Sequence, residues 1–391
     1  MAQTINSPLT NHYDILIVGA GPAGSLCALA LKDAGLKVAL IDKASSYPRD
    51  KICGDAVIGN AVKVLNSIDP AYAKALELLP LNQSISSTRL INHTKREVTF
   101  EWKLKAYNCK RIVFDNFLFD LVKQHTSTEI FLNHPVNSVE VSENRIRLNT
   151  HNNNFTASIV VGCDGAHSFI AKKMAGFSVD RNHYSGAVRF YCTNIKTNNF
   201  NTNEVFFSKK YMPGYFWIFP IAENQFNIGF GMLSKTISEK KVNLTKAIFE
   251  VIDEFPELKE RFKEVNIISE IQGFGLPIGT RKLPISGERF LLCGDAASLI
   301  DPLSGDGIAN AMLSGVIAAK HIINHSKTNS FSKEINLEYD KCIYEKIGPE
   351  LSRNTSFLRI CSRFPVILNF GIYILSKQFP FYKTIRKIVK F

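Results

Sequence analysis

The chain has 391 residues, 45% of them apolar and 21% charged, which is enough for two domains or one large domain with an insertion. No window reaches the ~18 consecutive apolar residues of a membrane-spanning helix, and the opening MAQTINSPLTNHYD lacks the basic and apolar regions of a secretory leader. The formal net charge of +12 leaves anionic ligands, nucleic acid or an anionic membrane as partners; no segment resembles a nucleic-acid module, so no nucleic acid is expected.

Eight cysteines lie scattered, none in a CxxC pair, which predicts reduced thiols in a cytoplasmic protein and argues against a disulfide scaffold. The nine histidines are dispersed too, His167 and His183 reading as structural or surface groups, and no metal is expected. The first element runs from Tyr13 to Lys43, YDILIVGAGPAGSLCALALKDAGLKVALIDK. Ile15 to Val18 is an apolar run of the buried parallel-strand type. It opens into Gly19-Ala20-Gly21-Pro22-Ala23-Gly24 and a helix to about Ala34, closed by Gly35; a second strand ends at Asp42, beside Lys43. Gly19 permits the tight turn, Gly21 lets backbone approach a pyrophosphate, and Gly24 lets helix and strand pack closely. Asp42, 18 residues beyond Gly24, stands where a carboxylate accepts the ribose hydroxyls of an adenosine. Strand, turn, helix, strand and acid in this order predict dinucleotide binding. A carboxylate there disfavours a 2′-phosphate, so FAD or NAD is expected over NADP.

Next comes YPRDKICGD, Tyr47 to Asp55, with Arg49, Lys51 and Cys53 ahead of Gly54. A strand-like run covers Arg96 to Leu104, and CKRIVFDNFLFDLV carries Arg111. The Asn- and Thr-rich patches Asn149–Phe155 and Thr193–Glu204 read as turns or loops. Ser158 to Gly176 repeats the strand-then-helix pattern, with Asp164-Gly165 at the junction. Tyr184 to Leu233 is strand-rich. Within it GYFWIFPIAENQFNIGFG alternates, Tyr215, Trp217 and Phe219 on one face and Phe216, Ile218 and Pro220 on the other. One face would pack on the domain and the other line an apolar pocket; both faces being core is the plainer alternative. A helix is expected near Leu244 to Phe262.

GERFLLCGDAASLIDPLSGDGIANAM gives a buried strand, Phe290 to Cys293, ended by Gly294-Asp295. A loop through Pro302 then reaches a helix that starts near Gly305, Gly307 and Ile308. Such a start turns N–H groups and partial positive charge toward whatever docks there. Beyond about residue 335, Pro349, Pro365 and Pro380 break the chain into helices. From Ser376 onward, Lys377, Lys383, Arg386, Lys387 and Lys390 alternate with aromatic and aliphatic residues and no acid. Peripheral contact with a membrane fits this end, and so does a solvated terminal helix.

The three glycine-and-acid segments, in this order, resemble the FAD-dependent oxidoreductases built like aromatic hydroxylases. That resemblance implies FAD as the cofactor, Asp295 holding the ribityl chain, Asp164-Gly165 near the pyrophosphate, and Arg111 opening a helix and reaching the FAD. Within the superfamily, the Pro-Arg-x-Lys-x-Cys-Gly run from Pro48 to Gly54 resembles the geranylgeranyl reductase group. Tyr215, Trp217, Phe219 and Pro220 are similar to that group's Tyr-x-Trp-x-Phe-Pro motif, although the usual basic residue after the proline is Ile221 here. Arg49 and Lys51 are then cations over the phosphates or the reduced ring, or ordinary solvated charges. Cys53 is a proton donor at the mouth of the site, or a small apolar filler.

The expected fold is α/β: a discontinuous Rossmann-like FAD-binding domain, residues 1–175 and 278–325, an α+β substrate domain, and C-terminal helices over 326–391. The substrate domain takes residues 176–277 and strands near 76–104, on an antiparallel sheet. The expected function is reduction of carbon–carbon double bonds in a prenyl-type lipid or other hydrophobic substrate, with Cys53, Tyr215 and Trp217 as catalytic residues. NAD(P)H or a reduced carrier would supply the electrons. A monooxygenase, a halogenase and a non-catalytic flavin-binding membrane protein are the alternatives on the same scaffold.

Overall fold

The computed structural model describes residues 10–376 apart from 152 and 198; the basic run beyond Ser376 lies outside the described residues. Ile15–Val18, Val38–Ile41, Ile159–Gly162 and Phe290–Leu292 are short, fully buried apolar runs, as strands covered on both faces must be. They pair in parallel with flush ends: Val18 faces Ile41 and Gly162, and Gly162 faces Leu292. Glu129–Phe131 extends one edge and Ser286–Gly287 closes the other. Four carboxyl ends thus open on one side of this six-stranded sheet, where the loops that follow must converge.

The helix after the first strand is Pro22–Ala30, shorter than the expected span to Ala34. From Lys32 the backbone bonds tighten to the third residue back, and Gly35 makes a later turn with φ +68°. Helix Ile308–His325 lies so close against it that a Cβ on Gly315 would stand 2.1 Å from the Ala23 carbonyl oxygen.

A nine-stranded, mostly antiparallel sheet forms the second half. The strands expected near 76–104 are Gln83–Asn92 and Glu97–Asn108, whereas residues 70–77 form a helix started by Pro70. Tyr184–Thr193, Gln225–Leu233, Tyr215–Ile221 and Thr202–Phe207 follow in spatial order, the last pairing in parallel with Gln83–Asn92. The helix expected over 244–262 is two, Leu244–Glu254 and Pro256–Arg261, because Pro256 cannot donate to the ladder of a continuous helix. Ala247, Ile248 and Val251 pack on Phe216, Ile218 and Phe230 of the sheet. A small four-stranded sheet, from Thr10–His12, Val136–Val141, Ile146–Thr150 and Asn154–Ala157, was not expected; the Asn149–Phe155 patch includes the end of one of its strands and the start of the next. Helices Lys333–Lys346, Gly348–Arg363 and Pro365–Ser376 end the described chain.

Candidate active site

The three glycine corners meet. Gly19 has φ +101°, and a Cβ there would lie 2.4 Å from the Cys163 carbonyl oxygen and 3.0 Å from the Asp164 Cα. A Cβ on Gly24 would lie 1.9 Å from the Gly19 oxygen. Gly294, at φ +59°, leaves only 2.8 Å between its missing Cβ and that of Ala311 and 3.6 Å to that of Ala23. They surround the start of helix Pro22–Ala30, whose first turn takes no side-chain cap from Gly21; its N–H groups are the kind of donors a phosphate takes. Asp42 is buried at the end of its strand, accepting from the Ala20 and Ala44 N–H groups at 2.7 Å and from the Tyr47 hydroxyl at 3.2 Å. Lys43 beside it is exposed.

Arg49 and Lys51 are held at this cradle. An Nη of Arg49 stands 3.2 Å from the position of a Cβ on Gly21 and 3.2 Å from Asp115, while its Nε donates to Tyr47 at 2.8 Å. Lys51 donates to Asp295 at 2.8 Å. Arg111 does open a helix, Arg111–His125, but its guanidinium turns inward: it is bidentate on Asp115 at 2.7 and 2.8 Å and faces the Cys53 thiol. Burial opposes that charge, and Asp115 with Cys53 more than restores it. Asp164 also points inward, accepting from the Ser168 hydroxyl and the Phe169 and Ile170 N–H groups to cap the helix Phe169–Met174. Gly165, at φ +82°, leaves open space beside it.

The third corner leads through buried Pro302 to Gly305, at φ +75°, and to Gly307, the residue before helix Ile308–His325. A Cβ on Gly305 would come 3.0 Å from the Tyr215 hydroxyl, which donates to the Ser304 carbonyl at 2.9 Å. Tyr215, Trp217 and Phe219 form one aromatic wall, with ring centroids 6.0 and 6.1 Å apart. Phe216 and Ile218, on the opposite face, belong to the core. The alternation therefore puts Phe216 and Ile218 in the core, as the sequence predicted, and the three aromatic rings together on the other face. Trp217 lies on Gly229, where a Cβ would be 2.1 Å from its ring, and Phe219 is 3.5 Å from the position of a Cβ on Gly54.

Half-buried Cys53 is tied to this wall by residues the sequence reading missed. Asn227 donates to the Cys53 carbonyl and to Asp55, both at 2.8 Å, and accepts the Trp217 indole N–H at 2.9 Å. Asp55, buried at φ +65°, also accepts from the Arg111 N–H at 3.1 Å and the Tyr191 hydroxyl at 2.8 Å. Desolvation outweighs these donors and pushes its carboxyl up to about 6. Burial likewise raises the Cys53 thiol, partly offset by Arg111, so it stays protonated at neutral pH. Arg189, 2% exposed, stacks on Tyr191 at 4.2 Å and reaches Asp50 at 3.2 Å. One signal was available: Asn227, Gly229 and Gly231 alternate with Phe226, Ile228 and Phe230, an odd face too small and polar for core.

His167 is exposed against Phe274, and His183 hydrogen-bonds Thr280 at 2.6 Å. One helical turn separates His321 from His325, and with Glu338 they place ligand atoms within 4.8 Å of one another, far along the helix from Gly307.

The family model described as FAD binding domain matches residues 12–331. Similar proteins include digeranylgeranylglycerophospholipid reductases from Methanocella arvoryzae, 26% identical across 91% of this chain and 88% of that protein, and from Thermoplasma acidophilum, 28% identical across 88% and 86%. A solved geranylgeranyl bacteriochlorophyll reductase-like protein from Thermoplasma acidophilum has a TM-score of 0.82 at 24% identity, covering 95% of this chain and 93% of that one. A flavin-dependent brominase shares the fold with a TM-score of 0.77 at 22% identity over 94% and 91%. The cradle fits the cofactor: side-chain-free backbone at Gly19, Gly21 and Gly24, an uncapped helix start, and the carboxylates of Asp42 and Asp295 just past two of the parallel strands. The chain belongs to the FAD binding domain family and is an FAD-dependent oxidoreductase with the fold of the geranylgeranyl reductases.

Proposed function

We propose that this oxidoreductase saturates carbon–carbon double bonds in an isoprenoid-type hydrophobic substrate, with NAD(P)H as electron donor. One observation carries the reading: Asn227 holds the Cys53–Gly54 turn directly against Trp217 and Phe219, so the backbone that carries a protonated thiol, itself beside Arg111, borders an apolar aromatic wall. Bound FAD supplies the hydride chemistry. The chain supplies the rest. Tyr215, Trp217 and Phe219 offer flat apolar surface to an unsaturated chain and exclude water. Cys53 keeps its proton on Sγ, available to a carbon that has just gained negative charge. Lys51, Arg49 and the start of helix Ile308–His325 give positive potential where negative charge gathers. The names of the similar reductases support the substrate class.

The test is anaerobic. FAD-loaded protein is reduced with NADH, NADPH or dithionite and then offered geranylgeranyl lipids. The flavin absorbance should return, and the lipid should gain two hydrogens per double bond. Reduced protein that no prenyl lipid re-oxidises, with labelled oxygen entering the product in air, contradicts the proposal and favours hydroxylation.

A further inference from the structure

We infer that the corner between helices Gly348–Arg363 and Pro365–Ser376 docks on an anionic lipid bilayer, and that the second helix stands at the substrate's way in. The two helices meet at a bend of 110°. Each carries an inner and an outer apolar stripe. Leu351, Leu358 and Cys361, then Ile372 and Leu375, are buried against the body of the protein. Phe357, Ile360 and Phe364, at helical spacing, continue into Val366, Ile367 and Phe370 on the outside. Val366 is 73% exposed, Phe370 58% and Phe364 54%. So many large apolar side chains on one corner exceed the single scattered residues of an ordinary surface. Because the inner stripes are committed to the protein, neither helix is free to span a membrane.

Charge selects the occupant. Glu350 is the last acid in the sequence, and the forty-one residues after it hold eight cations. Arg353, Arg359 and Arg363 lie on the first of the two helices, and five more follow Ser376. A second copy of the chain would set Arg359 and Arg363 against their own kind, whereas anionic headgroups neutralise them while the apolar stripe enters the acyl boundary.

The inner stripe leads to the site. Leu368, Ile372 and Leu375 share one apolar cluster with Phe100, Phe207 and Tyr215, and Tyr215 belongs to the aromatic wall. Only this buried layer separates helix Pro365–Ser376 from Tyr215, so a lipid chain leaving the bilayer there has one apolar layer to part before it reaches the wall. This second part rests on the proposed reductase activity; the docking itself does not.

Sedimentation with vesicles tests the docking. The protein should pellet with phosphatidylglycerol–phosphatidylcholine vesicles, far less with pure phosphatidylcholine, and less as salt rises. V366D/F370D, both outward-facing, should weaken binding about tenfold or more with FAD content and circular dichroism unchanged. R359Q/R363Q should lose about fivefold per cation on anionic vesicles only. For entry, V366D/F370D should lose turnover of vesicle-embedded substrate yet keep turnover in detergent; equal loss in both overturns the route. Wild-type protein that ignores both vesicle types, or a concentration-dependent dimer dissolved by V366D/F370D, overturns the docking. Vesicle binding without turnover of any alkene leaves the docking standing and sinks the reductase reading instead.

Discussion

Asn227 has two donor hydrogens and one acceptor oxygen, and the fold uses all three, on Cys53, Asp55 and Trp217. No other side chain of its size offers this set. Replacing Asn227 with Leu strands the Trp217 N–H and takes the donor from the Cys53 carbonyl, each at about 1–3 kcal/mol, while Asp55 keeps Tyr191 and the Arg111 N–H. Urea denaturation should show a loss of about 2–4 kcal/mol, with Trp217 fluorescence shifted to the red. Asn227→Asp should be worse at pH 7, because it sets a second carboxylate beside Asp55, and should recover partly toward pH 5. Asp55 carries its own signature. Its folded value of about 6 lies above the ordinary carboxylate range because burial penalises the charge. The sign follows: ionised Asp55 costs stability above about 6, and that cost fades as pH falls toward the unfolded value, about 4. Falling pH also adds an O–H where Tyr191 and Asn227 already donate, loosening the Cys53 turn. Activity should therefore drop on the acid side with a midpoint about 6, and Asp55→Asn should lose that limb; a wild-type profile flat across the range contradicts this role. Cys53 and Trp217 were legible as motif residues. Asn227, Tyr191 and Asp55 were not, because the bonds that tie the Cys53–Asp55 turn to Tyr191 and Asn227 span more than a hundred positions and only the folded chain makes them.

Elements bounded by glycine and built from continuous apolar runs were the legible ones: strands Ile15–Val18, Ile159–Gly162 and Phe290–Leu292 lie where expected. The small sheet escaped notice because Val136–Val141 and Ile146–Thr150 mix polar with apolar residues, the second buried only at alternate positions, so neither shows a continuous buried run. The glycine corners give a graded prediction. Gly24→Ala puts a Cβ 1.9 Å from a backbone oxygen that cannot move without opening the Gly19 turn. It should abolish FAD retention and cost about 3 kcal/mol or more. Gly35→Ala is strained by its φ of +68° but meets nothing within 4 Å; it should cost about 1 kcal/mol and leave FAD binding intact. Equal effects from the two would show that backbone strain, and not the cradle, sets cofactor retention.

Two sheets divide the labour of the molecule. The parallel sheet gathers three corners at its carboxyl edge, as open α/β sheets do at their ligand sites. The antiparallel sheet turns one aromatic face toward them and spends the other on core. The Arg49–Asp55 turn joins the halves, with Arg49 and Lys51 on the nucleotide side and Cys53 and Asp55 on the sheet. This division was legible in outline because Tyr215, Trp217 and Phe219 alternate with apolar partners; the register that sets Trp217 on Gly229 was not, since a sequence does not state which strands pair. The central claim is that these corners close on a single FAD, and its most direct measurement is the flavin bound per folded chain. Purified protein should carry one FAD, and protein stripped of it should take up one equivalent while Gly24→Ala does not. A folded, colourless protein that takes up no FAD on titration contradicts the account.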